Sequence, residues 1–200
     1  MITRNALLAE QEQFFSEIQY NKGRYIDFLD TMARFHKYPL RQQISLYFHA
    51  AADGTAYASR DIWERLGTTV KADAVGVPIL EGEKGREDVR YIFEARDTLD
   101  YNREDIQARF WQYDEDMHGA HIARTYPDGA TTEDRIAAEC KRLAHGSAEM
   151  EDLAASTAAY IVLARMRLPA KETYGLKILM SAWPEPPYSL EGVLEVANDI

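Results

Sequence analysis

Five large apolar side chains between Tyr25 and Phe35 constrain this chain more tightly than any other feature. Tyr25, Phe28, Leu29, Met32 and Phe35 fall at i, i+3, i+4, i+7 and i+10, the spacing that lines one face of an α-helix. A stripe of that width has to be covered, so the rest of the chain must supply a surface for it. Pro39 ends the pattern, because the residue before a proline is pushed out of helical space. Leu40, Ile44, Tyr47 and Phe48 predict a second helix that stops near Asp53-Gly54. Ser59 or Asp61 opens a short helix that carries Trp63 and closes at Leu66-Gly67.

Two strands follow, Val75–Leu80 and Val89–Glu94, joined by a Glu-Gly-Glu-Lys-Gly turn region. In the second strand, alternation places Val89, Tyr91 and Phe93 on one face and Arg90, Ile92 and Glu94 on the other. Upstream, Leu7, Leu8, Phe14, Phe15 and Ile18 predict an N-terminal helix ended near Asn21–Gly23. After Asp97 the pattern is helical only. Helices are expected over Arg103–Tyr113, from Thr131-x-x-Asp134 to His145-Gly146, over Met150–Leu168 before Pro169, and over Lys171–Ala182. Pro184–Pro187 then precedes a last helix capped by Ser189. The expectation is an α+β fold in which the Phe28–Arg34 and Leu40–Phe48 helices pack on a small antiparallel sheet, followed by an all-helical C-terminal part. Phe28, Leu29, Met32, Ile44 and Phe48 are the expected core. The expected division is an α+β module over 1–98 and an acidic helical extension over 99–200 packed on it.

Composition bounds the function classes. The single cysteine, Cys140, excludes a disulfide framework and a multi-cysteine zinc site, and reads as a small buried residue of a cytosolic protein. The start, MITRNALLAEQEQFF, is polar and acidic where an apolar signal segment would lie. The longest apolar run, Ala158–Ala164, is far short of a membrane span. A soluble cytoplasmic protein without membrane contact is expected. The net charge of −10 is unevenly spread: residues 1–80 carry nine basic and nine acidic side chains, residues 81–200 fourteen and twenty-four. Affinity for nucleic acid comes largely from cations that neutralise phosphates, so the second part repels a phosphate backbone and suits a basic protein partner instead.

Familiar enzyme signatures are absent: no phosphate loop of P-loop spacing, no G-x-S-x-G elbow and no H-E-x-x-H. No catalytic residue, metal site or cofactor is assigned, and no enzymatic activity is expected. Asp114-Glu-Asp-Met-His118-Gly-Ala-His121 comes nearest to a metal cluster, but Gly119 weakens a helix there, and the segment reads as an exposed acidic turn with two solvated histidines. A basic and aromatic set is the other candidate. Arg34, Lys37, Tyr38 and Arg41 crowd the break between two helices, and Arg60, Trp63, Arg65 and Lys71 lie beyond it. Single-stranded nucleic acid is held by such a combination of cations and stacking faces. Against it stands the reading of Trp63 and Tyr38 as core and of the arginines as solvated surface.

The order of parts from Tyr25 to Val77 resembles the N-terminal domain of ArdC-type antirestriction proteins. It is closer still to the front end of large methylase/helicase-type proteins of conjugative elements. The resemblance is carried by FLDT-ARF-KYP at Phe28–Pro39, by Gln42 and Gln43, by Trp63 with Leu66 and Gly67, and by Val89–Asp97 followed by Thr98. More loosely it extends over Ala155–Arg165 and the closing SLEGVLEVANDI. It implies a mobile element's conflict with host DNA defence and, for the related domains, single-stranded DNA binding. This chain departs from the family at one turn: a Lys-x-Gly-Glu-Lys-Gly sequence is replaced by Lys71-Ala-Asp-Ala-Val-Gly76, which loses a lysine and a glycine. The metalloprotease-like, methylase and helicase motifs of the full-length proteins are missing as well.

Two functions follow. The first is an anti-CRISPR inhibitor that docks on a type II RNA-guided DNA nuclease with its guide RNA. Its best-clustered carboxylates are Glu87, Asp88, Asp114, Glu115 and Asp116. The second is a single-stranded DNA-binding antirestriction accessory of conjugation that uses the basic and aromatic set. The charge split and the altered turn favour the first.

Overall fold

A computed structural model describes residues 2–18, 20–83, 85–103, 113–144, 148–175, 177–178 and 190–200, with the backbone alone for 148–152. The fold is α+β, with helices predominating and a small three-stranded antiparallel sheet. Among the described residues no helix is long and apolar enough to cross a membrane. The chain forms two compact units. Met1–Glu17 and Lys37–Trp111 make the first; Ile18–His36 and Gln112–Ile200 make the second. The helix rich in the Tyr25–Phe35 stripe therefore belongs with the C-terminal helices, which differs from the division expected at 98/99.

The first unit is built from α1 (Arg4–Ile18), α3 (Leu40–His49), β1 (Tyr57–Ala58), α4 (Arg60–Arg65), β2 (Val77–Glu81) and β3 (Asp88–Glu94), followed by a 3-10 turn at Ala95–Asp97. On α1, Leu7, Gln11 and Phe14 are buried along one face. Phe14 meets the rings of Tyr47 and Phe48 from α3, both edge-on or tilted. Gln11 Nε2 donates to the Arg41 carbonyl at 3.2 Å, which joins the two helices by a polar link within the apolar contact. One whole turn of α3, Gln43 to Leu46, is buried. Ile44 is fully buried as expected, whereas Phe48 is half-buried, and Leu46, outside the expected core, is fully buried.

The sheet order is β1-β3-β2, antiparallel throughout, with Val77 opposite Ile92, Leu80 opposite Val89, and Tyr57 opposite Glu94. Helix α3 packs on β2, and Gln42 Nε2 donates to the Leu80 carbonyl at 3.3 Å. Strand β2 begins at Val77 rather than Val75, whose side chain is exposed. Strict alternation along β3 fails. Its first half is mostly exposed, while Ile92, Phe93 and Glu94 are buried in succession, where β3 passes from pairing with β2 to pairing with β1. The two-residue β1 is too short to show a period in sequence.

The second unit contains α2 (Lys22–Arg34), α5 (Glu115–Thr125), α6 (Thr132–Leu143), α7 (Ala148–Arg165), a π-helical turn at Lys171–Gly175, and α8 (Leu190–Asp199). Asn21 does not terminate the preceding helix. It caps α2, accepting from Arg24 N–H at 3.0 Å. The stripe Tyr25, Phe28, Leu29, Met32 and Phe35 is buried throughout. It was expected to cover the sheet; α2 packs on α7 instead. Helix α7 is buried on nearly every side from Ala155 to Leu163, the mark of a central helix, and its alanines let α2, α6 and α8 approach it. Tyr25 Oη donates to Thr157 Oγ1 at 3.4 Å and Tyr160 Oη to Asp30 Oδ1 at 2.5 Å, so two buried hydroxyls of the α2–α7 contact are satisfied. Past Arg165 the backbone turns left-handed at Arg167 (φ 60°), and Leu168 N–H reaches back to the Leu163 carbonyl at 2.9 Å. Pro169 then bars continuation of the helix.

Thr131 and Asp134 form the expected reciprocal capping box of α6. Cys140 is fully buried, and burial pushes its thiol up to about 12, so it stays protonated and unreactive. Several expected features lie outside the described residues: the helix over Arg103–Tyr113 falls mostly on 104–112, and His145-Gly146, residues 179–182 of the Lys171–Ala182 helix, Pro184–Pro187 and the Ser189 cap fall there too.

Leu29 is wholly enclosed in the second unit. Leu29→Ala should lower stability by about 2–5 kcal/mol, the usual cost of a buried leucine cavity, as read by urea unfolding. A loss below about 1 kcal/mol would contradict the burial of the α2 stripe.

Candidate functional site

Of the basic and aromatic residues expected to hold a nucleic-acid strand, Trp63 is buried, Lys37, Arg60 and Arg65 are exposed, and the others are half-buried. Trp63, placed by the short helix α4, is 2% exposed and sits in a cluster with Val70, Phe93 and Ala95. Its indole Nε1–H donates to the Phe93 carbonyl at 3.0 Å. The ring has neither a free face for a base nor an unsatisfied donor. Arg60 lies over the Phe93 ring, 4.3 Å from its centroid, and donates to the Val70 carbonyl at 3.3 Å. Its guanidinium is thereby fixed as a cover for the same cluster.

Lys71 serves the fold as well. The ammonium donates to the Arg96 carbonyl at 2.6 Å, and its own N–H donates to the Asp97 carbonyl at 2.8 Å, beside the Val70–Thr98 bridge. The Lys71–Gly76 turn is therefore drawn toward the end of β3. Gly76 is needed there, because a Cβ would come within 2.9 Å of the Phe93 ring. Tyr38, at the helix break, donates its hydroxyl to the Tyr57 carbonyl of β1. Burial pushes that phenol up to about 12. Arg41 turns toward Glu87, at 3.4 Å. Arg65 is exposed and donates to the Asp61 carbonyl at 3.2 Å on its own helix, and Lys37 is exposed. Arg34 belongs to the second unit, where its guanidinium lies 4.6 Å from the centroid of the Phe35 ring. The unit thus joins Arg60 and Trp63 around Phe93 as a structural cluster, with Lys71 tied to the adjoining 3-10 turn. It does not assemble the eight residues into an open groove with stacking faces.

The carboxylates expected to face a protein partner divide in the same way. Glu87 is buried and paired with Arg4 at 2.7 Å and Arg41 at 3.4 Å. The Arg4 guanidinium, with backbone N–H donors, holds its carboxyl below the usual range. It is thus a carboxylate turned inward, and a docking role for it is corrected. Asp88 is exposed at the start of β3. In the second unit, Asp114 caps α5, accepting from Met117 N–H at 3.0 Å. Glu115 accepts from Tyr113 Oη and, at 3.2 Å, from Thr132 Oγ1. Asp116 is exposed.

The segment of Asp114–His121 is helical, not the exposed turn expected from Gly119. Asp114 caps it, and a Cβ at Gly119 would lie 2.5 Å from Glu115 Oε1, so the glycine admits the Glu115 side chain. Helix α5 nevertheless buries none of its residues, and Met117 is 75% exposed. His118 Nδ1 lies 2.8 Å from the Asp114 carbonyl, and its ring stacks on Tyr113. His121 contacts Thr125. Among the described residues no group of three or more potential metal ligands converges.

Sequence reasoning missed a second polar knot. Arg96 makes a bidentate contact with Asp53 at 2.7 and 2.8 Å, and its Nε donates to Glu94 at 2.9 Å. Glu94 also accepts from Thr55 N–H. No signal in the sequence pairs these residues, because Asp53 and Arg96 are 43 positions apart.

No protein-family model matches the chain, and neither a curated protein nor a solved structure matches it significantly.

The Tyr38 hydroxyl gives a pH test of this geometry. A phenol shifted from about 10 to about 12 makes the folded state hold more protons than the unfolded one between those values. Its contribution is full below about pH 10 and is lost as pH rises toward 12. Tyr38→Phe should flatten the alkaline fall in stability measured by urea unfolding. It should do so in part, since Tyr160 and Cys140 are shifted the same way. Identical profiles for the variant and the parent would contradict the Tyr38–Tyr57 contact.

Proposed function

We propose that this protein is a mobile-element anti-defence protein that acts by docking on another protein, an RNA-guided DNA nuclease of the CRISPR type II class carrying its guide RNA, and blocks cleavage. The observation that carries the reading is Trp63, buried and hydrogen-bonded in a cluster that also uses Arg60. A module that bound single strands through Trp63 would keep such a ring open to bases.

Charge supports the same reading. The first unit holds twelve basic and sixteen acidic side chains, the second eleven and seventeen, giving −4 and −6. Each unit is thus acidic by itself. Nucleases of this class hold nucleic acid in basic channels, and an acidic partner is attracted to such a surface and steered onto it. With Glu87 turned inward, and with Asp114 and Glu115 already accepting local hydrogen bonds, Asp88 and Asp116 are the carboxylates of the original set best placed to meet a partner. The antirestriction resemblance supplies the biological setting.

The test is a plasmid-cleavage assay with a guide-loaded type II nuclease. The parent should inhibit cleavage. Asp88→Asn and Asp116→Asn, each folded, should weaken inhibition by at most about fivefold apiece, because exposed pairs contribute roughly 0.2–1 kcal/mol, and the effect should shrink with added salt. Full inhibition by both variants at low salt would remove acidic docking. A parent that leaves cleavage untouched but shields single-stranded DNA would establish the conjugation accessory in its place.

A further inference from the structure

In the first unit a carboxylate is enclosed where a bound anion would sit. Arg4 is the first residue of α1 and Arg41 lies in the first turn of α3. Arg4 Nη2 stands 2.7 Å from Glu87 Oε2, and Arg41 Nη1 stands 3.4 Å from Oε1. Gly85 N–H donates to Oε2 at 2.9 Å. The Glu87 side chain is 5% exposed, while those of Arg4 and Arg41 are 37% and 40% exposed. Two cations thus reach solvent around an anion that does not.

One donor of the set is left over. Arg4 Nε is buried and has no acceptor. Glu87 directs its two oxygens to Arg4 Nη2, Gly85 N–H and Arg41 Nη1 and does not reach Arg4 Nε. A phosphate group offers a further acceptor in a geometry that suits the guanidinium fork. The turn that delivers Glu87 contains Gly82 at φ 122° and Gly85 at φ 90°, backbone states that glycine adopts readily and other residues resist.

We propose that Arg4 and Arg41 form a phosphate-binding cradle that Glu87 keeps closed as a built-in anion. The ligand class is a phosphate group, whether free or on a nucleotide strand. In the closed form Glu87 offsets one of the two positive charges and occupies donors of both guanidiniums; displacing or neutralising it restores the full charge and frees those donors. This inference is independent of docking on a nuclease, and either can fail without the other.

Glu87→Gln keeps the side chain's size and an acceptor for Gly85 while removing the charge. Calorimetric titration with inorganic pyrophosphate, and anisotropy with labelled oligothymidylate, would compare this variant with four full-length chains. These are the parent, E87Q with Arg4→Gln, E87Q with Arg41→Gln, and Glu83→Gln, which removes the same charge from an exposed position of the hairpin. E87Q should bind pyrophosphate at least about tenfold more tightly than the parent, as expected when a charge-assisted donor pair is released. Adding R4Q or R41Q should cancel the gain, and E83Q should behave as the parent. A gain on both probes assigns the cradle to phosphates in general, and a gain on pyrophosphate alone assigns it to a free or terminal group. A folded E87Q that gains nothing, a gain that survives loss of either arginine, or an equal gain in E83Q would overturn the proposal. If E87Q alone fails to fold, pyrophosphate should restore its thermal transition by filling the cradle, where chloride at the same ionic strength should not. Failure of that rescue would overturn it equally.

Discussion

Burying Trp63 sets the terms for the whole first unit. An indole is large and carries one obligatory donor, so enclosing it requires both an apolar pocket and a nearby acceptor. The pocket comes from Val70, Phe93 and Ala95, and the acceptor is the Phe93 carbonyl at the end of the central strand. That end is consequently wrapped by polar contacts. Arg60 covers Phe93, Lys71 holds the Arg96 carbonyl, and Arg96 grips Asp53 and Glu94. Side chains that from sequence look like a strand-binding surface are the ones that close this cluster.

In the second unit the organising element is α7, a helix buried on nearly all sides whose small residues admit neighbours closely. It takes the Tyr25–Phe35 stripe that the sequence pattern assigns to the sheet. The stripe specified burial but not the surface that would cover it, because an apolar face matches any apolar counterpart of suitable width. The counterpart here lies well over a hundred residues along the chain, as the Tyr25–Thr157 and Asp30–Tyr160 contacts show.

Features with local causes were legible before the structure: the α2 stripe, the Trp63 helix with its Gly67 end, and the Thr131–Asp134 start of α6. Each depends on residues within a few positions of one another. Helix α2, however, ends at Arg34, and Pro39 caps α3 rather than closing α2. Features with distant causes were not legible. Glu87 reads as one of several hairpin charges until Arg4 and Arg41, 83 and 46 positions away, are found against it. Local rules also misled at Gly119, where the absent side chain accommodates Glu115 and the helix persists. Of the candidate site, residue types were readable but their orientations were not. Trp63, Tyr38, Lys71 and Glu87 carry suitable chemistry and point it inward.

The central proposal is that this chain recognises a protein complex and not a bare strand. Size-exclusion chromatography can place it beside a guide-loaded type II nuclease in one run and oligothymidylate in another, at about 0.1 M salt, where exposed charges still act over roughly 10 Å. Co-elution with the nuclease, and independent elution from the oligonucleotide, is the predicted result. Co-elution with the oligonucleotide alone would contradict it.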